Sequence, residues 1–377
     1  SPPASISATG CYLTLLPELV RRRLINSGDA ADRARTTIAF VEDHVDHVHG
    51  FLPHFLDIGS GARWGSSEFA VLDTSIFLHG CIVAAQAYPA ARDAANRLID
   101  RVGWPKLWAF SPKWRRRLLS YGFSGKDRSL LPSAADVRSS ENLMPCLLAA
   151  GSRTHPVGRE CWYHTRIVRW KAGDERAAIR AGNASDYERL RSSVLNPGHP
   201  LFTSQYGLVW ANLRGLHDAD GIDLWANARD AAVLNRAFCR EIASKSSPTY
   251  RESSGGWWGI SAGDSPSGYV APGPLRGDAN GTVWPTVALA SAPWIDDVIG
   301  PDVERWASSP WWLRVRGKYG LSPFSASQEW VGNDLIGIDL GCFAATWANA
   351  QHGTIHKLWN AHPVARKGLE QLEFSSS

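Results

Sequence analysis

The pattern of apolar and polar residues predicts a mainly helical protein. Apolar side chains recur at spacings of three and four in several stretches, which places them on one face of a helix. Residues 71–88 are apolar almost throughout, so we expect a buried helix there, with 90–102 as its amphipathic partner. The helices expected from these patterns are 11–26, 36–49, 71–88, 90–102, 137–150, 222–243, 281–290, 296–307, 335–352 and 355–361.

Two long stretches lack a helical pattern. Residues 104–136 are rich in Trp, Arg and Gly and predict an irregular connection, and residues 245–280 are dense in Gly, Ser and Pro. About twelve helices of roughly 31 residues each, loops included, would fill the chain, which suits a closed ring of helical hairpins better than an open bundle. We therefore expect an all-α fold with long loops, formed as one domain over residues 1–377.

The composition excludes two broad classes of protein. The chain has 377 residues, of which 44% are hydrophobic and 20% charged, and its formal net charge is +4. Disordered chains have a poorer apolar content. Nucleic-acid binding needs a larger positive field than the short arginine runs at 21–23 and 115–117 supply, so we expect no nucleic-acid partner.

The cysteines and the apolar runs bear on disulfide bonds and on membrane spans. None of the six cysteines forms a C-x-x-C pair, which predicts buried thiols with at most one disulfide bond. No apolar run reaches the roughly 18 residues of a membrane span. The chain starts with Ser-Pro-Pro, a small and Pro-rich edge that is compatible with signal cleavage.

Tryptophan is the unusual component, with 18 residues where an average chain of this size would have roughly five. An indole buries a large apolar face and offers one N–H donor, so a surplus can build a core, an interface or a groove that stacks sugar rings. Core packing should account for more than half of them. The indoles expected beside a cleft are Trp210, Trp257, Trp258, Trp284 and Trp330.

Polar residues that could carry chemistry cluster in the loop-rich segments. Carboxylates beside aromatic residues and Gly-rich backbone are typical of a sugar-binding cleft, although any single Asp here could instead cap a helix or bond to the backbone. The residues of this kind are Gln205, Tyr206, Trp210, Arg214, Trp257, Trp258, Asp264, Tyr269 and Asp278.

Other kinds of site have weaker support. His217, Asp218 and Asp220 could hold a cation, but a calcium loop would also need a distal Glu. No Gly-x-Ser-x-Gly elbow and no phosphate-binding glycine pattern follows a predicted strand. We therefore expect no metal and no cofactor.

Paired carboxylates are the remaining candidates. Glycoside hydrolysis needs one acid to protonate the leaving oxygen and one carboxylate to act as base or nucleophile. Asp73, Glu141 and Asp339 each lie among apolar residues on a predicted helix. Because a buried carboxylate is costly without a partner, each needs an ion pair, a capping role or a catalytic role.

With these residues the sequence resembles the glucoamylase-like family that contains bacterial endo-β-1,2-glucanases and the related domain of cyclic β-1,2-glucan synthases. The likeness includes Val-Leu-Asp-Thr-Ser-Ile-Phe-Leu-His-Gly from Val71, Phe-Thr-Ser-Gln-Tyr-Gly-Leu-Val-Trp from Phe202 and Trp-Gly-Ile-Ser-Ala-Gly-Asp from Trp258. The matching stretches, which together extend over roughly residues 70 to 360, are 71–80, 101–105, 141–156, 202–215, 258–264, 278–283 and 330–341.

The resemblance implies an (α/α)6 barrel with a sugar cleft across one end. It also implies that Glu141 is the general acid, that Asp339 is the general base and that Asp73 is a further acid in the cleft. The positions that it places in substrate-facing motifs are Gln205, Tyr206, Arg214, Trp258 and Asp264.

The expected function is hydrolysis of β-1,2-glucan, endo-acting and with inversion of the anomeric centre. A retaining β-1,2-glucan transglycosylase, a hydrolase of the same fold acting on another glycan and a non-catalytic glucan-binding protein remain as alternatives. The expected partner is an oligo- or polysaccharide, and we expect a monomer. A polymeric substrate also favours a secreted or periplasmic location.

Overall fold

The computed structural model describes residues 3–169, 194–274 and 279–376. Helices dominate this part of the chain, as the sequence pattern predicted. They are α1 Ile6–Arg21, α2 Ser27–His44, α3 Val71–Ala87, α4 Arg92–Arg101, α5 Ser140–Gly151, α6 Glu160–Tyr163, α7 Leu224–Ala237, α8 Pro285–Leu289, α9 Asp296–Ala307, α10 Trp312–Val315, α11 Gly337–His352, α12 Thr354–Ala361 and α13 Pro363–Gln371.

The strands are short and occur in antiparallel pairs. They are β1 Ala4–Ser5, β2 Phe55–Leu56, β3 Phe69–Ala70, β4 Trp108–Ser111, β5 Arg116–Leu119, β6 Gly122–Phe123, β7 Leu216–His217, β8 Gly263–Ser265, β9 Gly268–Val270, β10 Phe324–Ser325, β11 Trp330–Val331 and β12 Ser375–Ser376. The hairpins β4–β5 and β8–β9 lie inside the two stretches for which we expected no regular structure. The expectation of wholly irregular connections is therefore wrong at these hairpins.

Local sequence signals account for several helix boundaries. The side chain of Asn26 accepts a hydrogen bond from the Asp29 backbone N–H at 2.8 Å and starts α2 at Ser27, well before the predicted start at residue 36. Ser139 caps α5 in the same way through the backbone N–H of Asn142. The pattern missed the start of α2 because the polar first turn of this helix carries no apolar stripe. It also missed α13.

The centre of the molecule is a close packing of α1 against α3 and α11. Gly10 and Gly80 lie at the α1–α3 contact, where a Cβ atom added to Gly80 would be 2.2 Å from the Gly10 carbonyl oxygen. Backbone atoms cannot move aside as a flexible side chain can, so glycine is needed for this approach. The contact places the first turns of the two helices side by side.

Ion pairs between arginine and aspartate side chains form two clusters with buried members. The Arg138 guanidinium is 1% exposed and pairs with Asp218 at 3.0 Å and with Asp220 at 2.5 Å. These are two of the residues that we considered for a cation site, and the arginine accounts for both carboxylates. The fully buried Asp302 similarly pairs with Arg236, Arg240 and Arg305.

Two further expectations concern the cysteines and membrane spans. All six cysteines are buried free thiols, so none of them forms a disulfide bond. Among the helices of the described residues, none has both the length and the apolar character that a membrane crossing requires.

Candidate active site

A cavity of about 670 Å³ opens at one end of the central helices. Its wall is mostly apolar, with a few carboxyl and hydroxyl groups, as is usual for small-molecule sites. The residues that line it are Ser5, Ser7, His54, Phe55, Leu72, Asp73, Ile76, Glu141, Phe202, Tyr206, Ala262, Asp264, Tyr269, Ile336, Gly337, Ile338 and Asp339.

The three predicted acids meet at this cavity, and each lies in the first turn of a helix. Asp73 is the third residue of α3, Glu141 the second of α5 and Asp339 the third of α11. The first turn is where exposed backbone N–H groups and the helix dipole stabilise negative charge. The fold therefore compensates part of the burial of three carboxyl groups by directing helix starts at them.

Glu141 is held in its protonated form to an unusually high pH. Burial and, as the smaller cause, the negative charge of the neighbouring Asp73 together raise its pKa to about 7. A carboxylic acid with a pKa near neutrality can donate a proton at physiological pH. Glu141 thus has the property that a general acid requires.

Asp339 has a similar pKa and a specific hydrogen-bond partner. Burial raises its pKa to about 7, whereas the hydrogen bond from the Tyr206 hydroxyl opposes this and favours the ionised form. The pKa of Tyr206 is itself raised well above its ordinary value by burial and by the charge of Asp339, so the phenol remains a donor. Tyr206 therefore fixes the orientation of Asp339.

Asp73 lies beside His54 and Ser7, which both favour its ionised form. Burial raises its pKa, while the charge of His54 and a hydrogen bond from Ser7 lower it. The His54 Nε2 atom is 3.4 Å from Asp73 Oδ1, and its Nδ1 atom is 3.1 Å from Glu68 Oε1. Burial lowers the pKa of His54, but the hydrogen bond to Glu68 and the two carboxylate charges outweigh this and raise it.

The β8–β9 hairpin supplies one side of the cavity. Asp264 and Tyr269 are paired residues of the hairpin, and both side chains line the cavity. Tyr269 as a whole is 70% exposed, but partial desolvation of its hydroxyl group and the charges of Asp339, Glu141, Asp264 and Asp73 raise its pKa. This ring therefore lies close to every carboxyl group of the site.

Residues 135–363, more than half of the chain, match the model of the Glycoamylase family, whose description is "Putative glucoamylase". The chain belongs to this family.

Relatives of this glycoamylase-family protein include characterised carbohydrate enzymes. It is 22% identical, over 97% of its length and 52% of the relative's, to the exo β-1,2-glucooligosaccharide sophorohydrolase (non-reducing end) of Parabacteroides distasonis. The chain thus spans about half the length of the curated relative that it matches.

Solved structures show the same fold. The endo-β-1,2-glucanase from Chitinophaga pinensis, determined with sophorotriose and glucose, superposes with a TM-score of 0.82 at 23% identity, covering 99% of this chain and 88% of that one. The β-1,2-glucanase from Parabacteroides distasonis gives a TM-score of 0.79 at 19% identity, covering 98% of this chain and 55% of that one.

Several residues that we expected at the substrate lie instead in the core of the glycoamylase domain. Trp257 is fully buried and stacks on Trp306 with ring centres 4.7 Å apart, and the fully buried Trp258 donates its indole N–H to Asp302 at 2.8 Å. An indole enclosed on both faces cannot stack on a sugar. The prediction of substrate contact is therefore corrected for both tryptophans.

Gln205, Trp210 and Trp284 are also buried away from the cavity lining. The Gln205 amide donates to the Val287 carbonyl oxygen at 3.1 Å, and the Trp210 indole donates to the Thr14 hydroxyl at 3.0 Å. Trp284 is 2% exposed. None of these three side chains lines the cavity, and we no longer assign them to substrate binding.

The remaining predicted residues lie elsewhere. Arg214 lines a different cavity, with its guanidinium 4.8 Å from the centre of the Trp225 ring. Trp330 is half-buried in β11 and does not line the catalytic cavity. Asp278 lies outside the described residues.

The sequence interpretation missed His54, Phe55 and Phe202 as cavity residues and did not select Tyr269 from its list of polar loop residues. The aromatic lining consists of phenylalanine and tyrosine, although tryptophan excess first suggested a groove. Only Tyr269 had a local signal, because it lies in a Gly-rich loop beside Asp264. His54 precedes its partner Asp73 by 19 positions and carries no recognisable motif.

Proposed function

We propose that this protein is a glycoside hydrolase that cleaves β-1,2-glucan. The observation that carries the proposal is the meeting of Asp73, Glu141 and Asp339 at one cavity, with the pKa of Glu141 raised to about 7. The β-1,2-glucan hydrolases among its relatives support the choice of substrate. We further propose endo-action, for which the similarity to the endo-β-1,2-glucanase from Chitinophaga pinensis is the support.

In the proposed mechanism Glu141 is the general acid. Its carboxyl proton passes to the glycosidic oxygen as the bond from that oxygen to the anomeric carbon breaks. Asp339 takes a proton from a water molecule as the water oxygen bonds to the anomeric carbon on the opposite face. The two steps release one sugar product with an inverted anomeric centre and leave Glu141 ionised and Asp339 protonated, and proton exchange with solvent then restores both.

Two neighbouring groups prepare these acids for their roles. The charge of Asp73 helps to keep Glu141 protonated before the reaction. The Tyr206 hydroxyl stabilises the ionised form of Asp339 and holds the carboxylate in place. Acid–base catalysis requires opposite protonation states in the two carboxyl groups, and these neighbours favour the protonated form of Glu141 and the ionised form of Asp339.

The wall of the cavity suits a glucan chain. The rings of Phe55, Phe202 and Tyr269 offer apolar faces for the C–H surfaces of sugar rings. Asp264 is a hydrogen-bond acceptor for sugar hydroxyl groups on the same side as Tyr269. These residues replace the tryptophans as the proposed substrate contacts.

The finer architecture is part of the same proposal. The helices α1, α3, α5 and α11 all begin at the cavity, through Ser7, Asp73, Glu141 and Asp339 respectively. Inner helices that start at one end support an (α/α)6 barrel, formed as a single domain over residues 1–377. We also propose that the protein acts as a monomer, and outside the cytoplasm, where a polymeric glucan would be met.

The experiment is hydrolysis of β-1,2-glucan by the wild type, by Glu141→Gln and by the control Glu304→Gln, which changes an exposed glutamate on α9. We expect Glu141→Gln to lose about 10²–10⁴-fold in kcat and the control to retain full activity. Near-native hydrolysis by a folded Glu141→Gln variant would overturn the assignment.

Product analysis separates the alternatives. Proton NMR of the first products should show the α-anomer at the new reducing end, and a product with retained β-configuration would replace inversion by a retaining transglycosylase or hydrolase. Oligosaccharides of several lengths should form early from β-1,2-glucan, whereas other β-glucans and arabinans should remain intact. Binding of all these glycans without turnover would leave only a carbohydrate-binding function.

A further inference from the structure

A second cavity, of about 340 Å³, lies at the opposite end of α11 from the carboxyl groups. Asp339 in the first turn of α11 lines the catalytic cavity, whereas Thr346, Asn349 and Ala350 near the end of the helix line the second one. A rise of about 1.5 Å per residue separates Asp339 from Asn349 by roughly 15 Å along the helix. A ligand in the second cavity would therefore not touch the catalytic carboxyl groups.

This second cavity is cationic. Arg214 and Lys357 both line it and are exposed, and no Asp or Glu belongs to its lining. Within the described residues neither cation forms an ion pair with a carboxylate, although Arg214 lies over the face of Trp225. Two cations at one concave surface whose lining contains no carboxylate indicate a site for an anion.

The rest of the lining has the character of a carbohydrate site. Trp225 packs its edge against Trp294 with ring centres 5.5 Å apart, and the amide side chains of Asn212 and Asn360 lie in the same wall. The indole N–H of Trp294, which is 6% exposed, and the side-chain oxygen of Asn360 are buried without a hydrogen-bond partner among the described residues. These two atoms are enclosed by protein, whereas the exposed amide of Asn212 offers a donor and an acceptor to a polar occupant of the cavity.

We propose that this cavity binds a sugar that carries an oxyanion, that is, a sugar phosphate or a sugar acid. Arg214 would bind the oxyanion through its planar set of N–H donors, with Lys357 adding a second positive charge. Trp225 and the amides would contact the ring and its hydroxyl groups. The volume suits a ligand of one or two sugar rings rather than a polymer.

The inference is tested by calorimetric titration of the full chain at low salt. The ligands are glucose 6-phosphate and glucuronate as the two sources of charge, glucose as the neutral sugar, and inorganic phosphate as the anion alone. We expect at least one charged sugar to bind more tightly than both glucose and phosphate, and the better of the two identifies the phosphate or carboxylate source.

Variants of the two cations show whether the charged sugar binds in this cavity. Arg214→Gln and Lys357→Gln should each weaken the binding of the charged sugar by about tenfold, because each removes one charge-assisted contact. Lys106→Gln, which removes an exposed lysine elsewhere, is the matched control and should bind as the wild type does. Glu141→Gln should also bind normally, so a failure of the proposed catalytic function would leave this result unchanged.

Three outcomes would overturn the proposal. The first is equal binding of glucose and the charged sugars, which would remove the role of the cations. The second is equal binding of phosphate and glucose 6-phosphate, which would leave an anion site without sugar recognition. The third is unchanged affinity in both Arg214→Gln and Lys357→Gln, and thermal unfolding of each variant checks that the fold is intact.

Discussion

The Nε2 atom of His54 lies 3.4 Å from the Oδ1 atom of Asp73, and the opposite ring nitrogen of His54 contacts Glu68. This row of three side chains connects the surface of the domain to the carboxyl groups of the cavity. The charge of His54 lowers the pKa of Asp73 against the effect of burial. Protonation of the histidine is thus coupled to the charge state of the cleft.

The variant His54→Asn should shift the basic limb of the pH–rate profile to lower pH. Without the imidazolium charge, Asp73 becomes protonated at a higher pH than in the wild type and loses the charge that helps to raise the pKa of Glu141. The measurement is kcat/KM on β-1,2-glucan between pH 4 and pH 9. The control His155→Asn alters an exposed histidine and should leave the profile in place, and identical profiles for all three proteins would contradict the coupling.

The variant Asp73→Asn should move the basic limb to lower pH. The charge of Asp73 is the second cause of the raised pKa of Glu141, so its removal lowers that pKa from about 7 while burial keeps it above the ordinary value. The basic limb reports loss of the general-acid proton. Asp32→Asn on the exposed face of α2 serves as the control, and a basic limb that does not move would show that Glu141 titrates independently of Asp73.

Glu141→Gln should stabilise the protein at alkaline pH. The folded-state pKa of Glu141 is raised from 4.5 to about 7, so its contribution to stability is fully present below pH 4.5 and is lost as the pH rises through 7. We expect the free energy of unfolding of the variant, relative to the wild type, to be greater at pH 8.5 than at pH 5, by on the order of 2–3 kcal/mol.

Chemical unfolding at the two pH values measures this difference. At each pH the free energy of unfolding of the wild type is subtracted from that of the variant. This removes the contributions of buried histidines, because they are common to both proteins. For the control Glu304→Gln, the difference in free energy of unfolding from the wild type should be the same at both pH values. A Glu141→Gln difference that does not change with pH would mean that the carboxyl group is not held protonated by the fold.

Tyr206→Phe should weaken the proposed base. The variant removes the hydrogen bond that favours the ionised form of Asp339, so the pKa of Asp339 rises further above its ordinary value. We expect about a tenfold loss of kcat near pH 7 and an acidic limb displaced to higher pH. Tyr250→Phe, which removes another buried hydroxyl that bonds to the Thr282 carbonyl oxygen, should keep the wild-type profile. A wild-type profile in Tyr206→Phe would exclude this role.

Gly80→Ala should destabilise the contact between α1 and α3. The new methyl group would lie 2.2 Å from the Gly10 carbonyl oxygen, which is a backbone atom and cannot turn aside. We expect a loss of about 1–3 kcal/mol in the free energy of unfolding. The control Gly300→Ala adds a methyl group to a helical glycine with open space around it and should be neutral or stabilising by up to about 1 kcal/mol. Equal stability of the two variants would contradict the close packing.

The amino-acid pattern by itself determined the helical class, the positions of most helices and three of the four acids of the cavity. Apolar periodicity is a local property, and it located α3, α9 and α11 to within a few residues. Asp73, Glu141 and Asp339 were recognisable because a carboxyl group among apolar neighbours on a helix requires a compensating partner or a function.

Only the tertiary structure decided which aromatic and basic residues reach the cavity. Trp257 and Trp258 have the same loop-rich surroundings in the sequence as Tyr269, yet the two indoles are buried and the tyrosine is exposed. The difference arises from contacts distant along the chain, such as that of Trp258 with Asp302, and no local pattern encodes them. His54 reaches Asp73, and Arg214 reaches the second cavity, for the same reason: the packing of the helices brings these side chains to their partners.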